Sequence, residues 1–171
     1  MTGASIRAER AGDADAARRL HEDAFAPSPT EASLVDDLRA SGATVPEVSL
    51  VAVDGDELIG HVVYSEARLA SGHDVLALAP MAVAPVRQRQ GVGTRLVEES
   101  LARARTTRFA VVVVMGHPAY YPRFGFEPAG ELGIESPWPS PPEAWMALPL
   151  PAYEQSARGL VSYAAAFDEL A

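Results

Sequence analysis

The sequence predicts one domain of the α/β class (α+β), in which a mostly antiparallel sheet is flanked by helices. Three observations lead to this prediction. The pair Asp54-Gly55 is a hairpin turn signal between two apolar segments. Residues 109–115 form a continuous, valine-rich apolar run, as in a strand that is covered on both faces. An amphipathic helical pattern lies between these two features, so strands and helices are mixed along the chain.

The first quarter of the chain contains a short strand and two helices. Residues 6–10 fit the strand. Asp13 is expected to cap the first helix, on which His21 is expected at the surface. Residues 28–31 have the capping-box pattern with a proline at the first helical position, which predicts a second helix that runs to about Ala40.

The middle of the chain predicts three strands followed by a third helix. The strands are expected over residues 48–53, 58–68 and 75–83. The helix is expected over residues 91–105, with its apolar side turned inward. After the valine-rich strand, a loop with four prolines leads to a last long strand over residues 145–150.

The composition is that of an ordinary globular protein, with 171 residues of which 48% are hydrophobic. Residues 1–150 are expected to form the domain, and residues 151–171 a C-terminal tail that packs on it. Cysteine is absent, which excludes disulfides and an acyl-cysteine intermediate, and no apolar run is long enough to span a membrane. These features are compatible with a cytoplasmic protein that has no membrane partner.

The net charge of −9 argues against nucleic acid as a partner, because general nucleic-acid binding needs a basic face. The charge is unevenly distributed, however. From Arg87 to Arg108 there are six arginines and two glutamates, which gives this segment a charge of +4. A positive segment in an acidic protein suits an anionic ligand at that place.

The segment after the third predicted strand has the features of a phosphate-binding turn. Gly91 and Gly93 stand at the start of a helix, where free N–H groups and the helix dipole favour an anion. A Walker loop is excluded because the chain contains no lysine, all 14 basic residues being arginine. A Rossmann fingerprint is excluded because Leu96 occupies the position of the third glycine.

The spacing Gln88-x-x-Gly91-x-Gly93 resembles the acetyl-CoA pyrophosphate loop of the GNAT N-acetyltransferases. A second motif lies one helix and one strand later, and it reads Gly116-His117-Pro118-x-Tyr120-Tyr121-x-Arg123-Phe124-Gly125-Phe126. With these two motifs the chain resembles, over nearly its whole length, the YhbS-type predicted N-acetyltransferases. The resemblance implies the GNAT fold, with the order β-α-α-β-β-β-α-β and a sheet in which adjacent strands splay apart.

The resemblance also implies acetyl-CoA as the co-substrate. The pantetheine arm would pair with a strand edge at Met81, Ala82 and Val83, and an N–H group near Val83 would meet the thioester oxygen. The pyrophosphate would be held by the backbone amides of the loop, which are those of Gln88, Arg89, Gln90, Gly91, Val92, Gly93 and Thr94. No metal is expected, because no pair of His, Asp or Glu residues has ligand spacing.

Tyr121 matches the tyrosine of the superfamily pattern Tyr-x-x-x-Gly-Phe and is expected to act as a general acid toward the leaving thiolate. Tyr120 beside it is expected to pack in the core. Two candidates for the general base stay open. Glu31 is also explained by its capping role, and His61 by a place in the core. His117 is expected to fix the backbone rather than to move protons.

The leading functional hypothesis is an acyltransferase that moves acetyl from acetyl-CoA to a primary amine by direct attack in a ternary complex. The acceptor is expected to be a small molecule or a peptide. Homodimers are frequent in the superfamily that the chain resembles. The alternative is a non-catalytic acyl-CoA-binding or regulatory module with the same fold, since the sequence contains no evident base.

Overall fold

The computed structural model describes residues 3–170, in which three α-helices, five short 3-10 helices and nine strands are found. The α-helices are α1 (Ala14–Ala24), α2 (Thr30–Ala40) and α3 (Val92–Ala104). The strands are β1 (Ser5–Ala8), β2 (Leu50–Asp54), β3 (Glu57–Leu69), β4 (Asp74–Val83), β5 (Val111–Met115), β6 (Glu127–Pro128), β7 (Ile134–Glu135), β8 (Trp145–Pro149) and β9 (Gly159–Ser162). None of the helices in residues 3–170 has the length and apolar character that a membrane span requires.

The main sheet has the strand order β1-β2-β3-β4-β5-β8-β6. Neighbours along this path are antiparallel except β4 and β5, which run parallel. Strand β9 pairs with the far end of β3, at Arg68 and Leu69, and also with β7. The predicted fold class is therefore confirmed, although the sequence reasoning did not find β6, β7 and β9.

Strands β4 and β5 separate after a short stretch of pairing. Residues 75–77 pair with residues 111–113, and β4 then continues to Val83 without β5 beside it. The splay that the resemblance implied is present. It leaves the second half of β4 with an open edge toward β5.

The backbone groups at this open edge can be identified from the ladder between β3 and β4. Ala84 N–H donates to Ile59 C=O at 2.9 Å, and hydrogen-bonded pairs alternate with non-bonded pairs in an antiparallel ladder. The N–H and C=O groups of Val83 and Met81 therefore point away from β3. In agreement, Val83 C=O accepts a hydrogen bond from the Gln88 side chain at 3.1 Å on this outer side.

The two faces of the sheet are covered by different helices. Helix α3 packs its apolar side, with Leu96 and Val97, on one face. Helix α2 packs Leu34 and Leu38 on the other. The strand β5 is buried on both faces, as predicted, because its alternate valines belong to two separate apolar clusters.

Helix α3 approaches β3 most closely at Gly60. A Cβ added at Gly60 would lie 2.7 Å from Leu96 Cδ1 and 2.9 Å from Val92 Cγ1, which is too close for either contact. A side chain at this position would therefore push the first turn of α3 away from the sheet. Gly60 thus sets the position of the helix N-terminus.

Two predictions for the first helix were wrong. The Asp13 carboxylate does not cap α1, because it accepts two hydrogen bonds from Arg7 at 2.7 and 2.9 Å and one from Arg10 N–H at 2.7 Å. His21 is not at the surface. Its ring is completely buried, where it forms a hydrogen bond with His61 of β3.

Candidate active site

A cleft of about 730 Å³ opens where β4 and β5 separate, and it is called the β4–β5 cleft below. Residues 78–81 of β4 line one wall, and Met115 and Gly116 at the end of β5 line the other. Phe25 and Glu31, from the corner between α1 and α2 (residues 25–31), also line it. The open edge of β4 therefore lies along this cleft.

A second hollow, of about 490 Å³, surrounds the N-terminus of α3 and shares Met81 and Tyr120 with the cleft. The backbone N–H groups of residues 89–94 make no hydrogen bond of normal geometry to any of residues 3–170. The helical ladder begins only with Arg95 N–H, which donates to Gly91 C=O. A row of free N–H groups at the positive end of a helix dipole is an anion-binding site.

The loop before α3 is held in shape by its own side chains. Gly91 has a φ of 84°, in the left-handed region that favours glycine. The Gln88 amide donates to Val83 C=O, and the Gln90 amide donates to Val86 C=O at 3.0 Å. The two glutamine side chains thus donate hydrogen bonds to carbonyl groups before and within the loop. The N–H groups of the loop stay free for a ligand.

The arginines around the hollow have different roles. Arg87 forms an ion pair with Asp54 at 2.8 Å, which fastens the loop to the β2–β3 hairpin. Arg89 and Arg123 line the hollow, and neither has a carboxylate partner within residues 3–170. The Arg123 guanidinium lies over the Tyr120 ring, 4.4 Å from its centre. Arg89 and Arg123 are thus the cations available to an anion here.

The two adjacent tyrosines have different surroundings. The Tyr120 hydroxyl lies 3.2 Å from Thr94 Oγ1, in hydrogen-bonding distance. The Tyr121 ring is buried and lines the cleft, and its hydroxyl has no hydrogen-bond partner within residues 3–170. Burial, with a smaller contribution from Tyr120, raises the pKa of Tyr121 to about 12. Tyr121 is therefore protonated at neutral pH and has a free O–H to donate.

The two candidate bases lie in different places. Glu31, in the first turn of α2, lines the cleft, and its carboxylate accepts a hydrogen bond from Ser28 Oγ at 3.2 Å. His61 is fully buried. Its Nε2 lies 3.1 Å from Glu9 Oε2, and its Nδ1 lies 3.0 Å from His21 Nε2. His61 therefore cannot touch a ligand in the cleft, whereas Glu31 can.

A family model described as "Acetyltransferase (GNAT) domain" matches residues 5–129. The chain belongs to the GNAT acetyltransferase family. It is 36% identical over 154 residues to the Escherichia coli (strain K12) protein "Uncharacterized N-acetyltransferase YjhQ", with 86% of this chain and 84% of YjhQ covered. It is 37% identical over 121 residues to YhbS of the same strain, with 69% and 71% covered.

Solved GNAT structures also resemble this one. The Escherichia coli YhbS structure in complex with CoA superimposes with a TM-score of 0.89 at 33% identity, covering 98% of this chain and 93% of YhbS. A GNAT acetyltransferase from Brucella melitensis in complex with acetyl-CoA gives a TM-score of 0.81 at 32% identity, covering 98% and 100%. The GNAT fold that the sequence implied is confirmed.

The structure gathers most of the residues that the GNAT resemblance singled out. Met81 and Tyr121 line the cleft, and residues 88, 89 and 91–94, with Val83, line the hollow, whereas Gln90 lines neither. Ala82 differs, because it pairs with His61 and its backbone groups are directed toward β3. Within residues 3–170, no group of three or more His, Asp or Glu side chains has a metal-binding arrangement.

The sequence reasoning gave no role to Gly116, which lies at the start of the GNAT tyrosine motif. A Cβ added there would lie 2.4 Å from Cε2 of the Tyr121 ring. The ring therefore packs directly on the Gly116 backbone. Arg123 was also missed, and the only signal for either residue was its place in the motif.

We expect Gly116→Ala to lower acetyl transfer about tenfold or more, because the methyl group displaces the Tyr121 ring, at a cost of about 1–3 kcal/mol. Acetyl-CoA affinity, measured by calorimetry, should change little, since the anion-binding hollow is untouched. Gly130→Ala is the matched control, because nothing lies within 4 Å of a Cβ added at Gly130. Unchanged turnover in the Gly116 variant would show that the Tyr121 position is not critical.

Proposed function

We propose that this protein transfers an acetyl group from acetyl-CoA to a primary amine of a small molecule or peptide, by direct attack in a ternary complex. One observation carries the proposal. The free N–H groups at the start of α3, the open edge of β4 and the unpaired Tyr121 hydroxyl border two adjoining hollows that share Met81, Gln88, Arg89 and Tyr120 as lining residues. The relatives named N-acetyltransferases and the neighbours in complex with CoA or acetyl-CoA support it.

The proposed place of acetyl-CoA follows from these groups. The pyrophosphate would accept hydrogen bonds from the N–H groups of residues 89–94, with Arg89 and Arg123 supplying positive charge. The amide groups of the pantetheine arm would pair with the free N–H and C=O groups of Met81 and with the N–H of Val83, as an added strand does. This arrangement would place the thioester in the cleft near Tyr121.

The reaction forms a C–N bond and breaks a C–S bond. In the proposed mechanism the N–H of Val83 or Met81 stabilises negative charge on the thioester oxygen. Tyr121 donates its proton to the departing thiolate and regains one from water. Glu31, the carboxylate of the cleft wall, holds the acceptor ammonium and passes its first proton to water. The nitrogen loses a second proton to water after the attack, so one proton is released overall once Tyr121 has protonated the thiolate and regained its own.

The test is to measure thiol release from acetyl-CoA in the presence of an amine panel that contains peptides, polyamines, aminoglycosides and amino acids. Turnover that depends on the amine, with the acetylated product found by mass spectrometry, is the expected result. Tight acetyl-CoA binding without turnover on any amine would instead support the alternative, a non-catalytic acyl-CoA-binding module. The binding and turnover measurements therefore separate the two functions.

We expect Glu31→Gln to raise the KM of the amine about tenfold or more, because a neutral amide attracts an ammonium group far less than a carboxylate does. The affinity for acetyl-CoA should stay the same, since Glu31 is not part of the hollow at α3. Glu47→Gln removes an exposed carboxylate outside the cleft and is the control. A Glu31 variant with wild-type amine kinetics would exclude Glu31 as the ammonium site.

A further inference from the structure

Six polar side chains form a ring that joins α1, α2, β3 and the residue after β1. Five contacts link them, of which two involve histidines, and the backbone of α1 closes the ring between His21 and Arg18. Around the ring the partners are Arg18 with Asp36, Asp36 with Arg39, Arg39 with Glu9, Glu9 with His61, and His61 with His21, which lies one turn after Arg18 on α1. Glu22 also pairs with Arg18, at 2.9 Å.

The hydrogen bonds of this ring fix the tautomers of its two histidines. The Glu9 carboxylate can only accept, so His61 donates from Nε2. A neutral His61 then accepts at Nδ1, and the donor is Nε2–H of His21. The remaining nitrogen of a neutral His21, Nδ1, carries no hydrogen. It is buried and has no hydrogen-bond partner within residues 3–170.

Adding one proton to the pair leaves a buried donor unsatisfied, whichever ring takes it. If His61 is charged, both of its nitrogens donate, so His21 must accept at Nε2 and carry its hydrogen on Nδ1. If His21 is charged, Nδ1 also carries a hydrogen. In both cases a buried N–H points at no acceptor in the described chain, which is unfavourable. The hydrogen-bonded pair is therefore stable only when it is neutral.

The histidine pair lies behind the wall of the β4–β5 cleft that Phe25 forms. The Phe25 ring stacks on the His21 ring, with 6.1 Å between the ring centres, and Phe25 lines the cleft. Phe25 N–H also donates to His21 C=O at the end of α1. The corner that begins at Phe25 carries Glu31, so the position of His21 determines that of the corner.

We propose that Glu9, His61 and His21 are positioning residues that hold the α1–α2 corner, with Phe25 and Glu31, in place for the amine acceptor while the histidine pair is neutral. This inference rests on the proposed acetyl transfer. Protonation of the pair loosens the corner and weakens amine binding. The hollow that binds acetyl-CoA lies outside the ring and is unaffected.

The directions of the pKa shifts of His21 and Glu9 agree with this proposal. Burial, followed by the charge of His61, lowers the pKa of His21 from 6.5 to about 3, although Glu9 opposes the shift. Burial disfavours ionised Glu9, but hydrogen bonds from His61 and Arg39 outweigh it and lower its pKa. The unfolded chain thus takes up protons before the folded chain does. Stability from His21 is complete above pH 6.5 and is lost as the pH falls toward 3.

The first test is to observe the ring nitrogens of the full chain, labelled with ¹⁵N-histidine, by NMR, with His21→Gln and His61→Gln as assignment variants. At pH 7.5 both His21 and His61 should carry their hydrogen on Nε2, and His21 Nδ1 should show the shift of a bare nitrogen. A hydrogen on His21 Nδ1 at this pH would overturn the proposal. This measurement needs no acceptor, so it stands even if acetyl transfer is not found.

The second test compares two substitutions of His61 with the most active amine of the panel. Glutamine keeps a donor for Glu9 and an acceptor for His21 but cannot take up a proton, whereas leucine keeps neither. His61→Leu should raise the amine KM about tenfold at every pH with little change in kcat or acetyl-CoA affinity, and His61→Gln should restore the wild-type KM at pH 7.5. His73→Gln, at a half-buried histidine outside the ring, is the control.

The decisive quantity is the ratio of the wild-type amine KM to that of His21→Gln, because ionisation of the amine itself cancels in this ratio. Glutamine at this position cannot take up a proton, and its amide can either donate to His61 or accept from it. Because burial lowers the pKa of His21 to about 3, the ratio should stay level between pH 7.5 and 5.5 and rise about twofold as the pH falls toward 3. A ratio that already rises above pH 5.5, or that stays level down to pH 3, would overturn the proposal.

Discussion

Glutamate at Gly91 or Gly93 is expected to abolish acetyl-CoA binding in a protein that still folds. Either side chain would bring a negative charge to the row of free N–H groups in residues 89–94, the proposed place of the pyrophosphate. Repulsion between charges about 4 Å apart amounts to about 1–4 kcal/mol for each phosphate charge, and the side chain would also occupy the place of the pyrophosphate, so the affinity measured by calorimetry should fall about 100-fold or more.

The two variants have different structural costs and need different controls. Gly93 has room for a Cβ, since the nearest atoms, Tyr120 Oη and Val83 Cγ2, lie at 3.5 Å. Gly91 has a positive φ, so any side chain there adds strain of about 1–2 kcal/mol. Gly72→Glu reproduces that strain and charge, because Gly72 has a φ of 91° and open space around it, remote from the cleft. Unchanged affinity in both test variants would place the pyrophosphate elsewhere.

Tyr121→Phe is expected to lower the turnover about 10–100-fold, at the low end of general-acid effects because a thiolate is a fair leaving group. The structure leaves the Tyr121 hydroxyl unpaired within residues 3–170, and its raised pKa of about 12 keeps the proton in place at neutral pH. The affinity for acetyl-CoA and the melting temperature should hardly change, because the ring and its packing are kept. Steady-state kinetics and calorimetry measure the two quantities.

Tyr120→Phe is the matched control for this prediction. It removes a hydroxyl from the next residue, but that hydroxyl lies in hydrogen-bonding distance of Thr94 and not free in the cleft. We therefore expect a smaller effect on turnover. If the turnover of Tyr120→Phe were strongly reduced and that of Tyr121→Phe were unchanged, the general acid would be Tyr120. Two near-normal variants would mean that water protonates the thiolate.

The sequence predicted the long strands and helices well because their apolar patterns are local. The valine run of β5 and the hairpin at Asp54-Gly55 are examples. The two-residue strands β6 and β7 escaped prediction, since a strand that short has no period of its own. Strand β9 was missed for another reason: its pairing with β3 joins residues about 90 positions apart and leaves no local signal.

The candidate site was predictable where it depends on a loop motif, and less so where it depends on distant contacts. The glycine and glutamine pattern before α3 predicted an anion-binding loop, and the structure leaves the N–H groups of residues 89–94 free there. The burial of His21 was not predictable, because its partner His61 lies 40 positions later on another element. Likewise the Asp13 carboxylate, which the sequence predicted to cap α1, accepts a hydrogen bond from Arg7 instead.

The open half of β4 also has a consequence for self-association. A strand edge with free backbone groups is a template onto which another protein molecule can add a strand, the first step of aggregation. Here the Gln88 amide already covers the Val83 carbonyl. The diverging β5 stands beside the same edge, so the gap accepts a narrow, flexible arm more readily than a pleated strand with its side chains. These features disfavour strand addition by a second copy of the chain at the edge of β4 that stays open for a ligand.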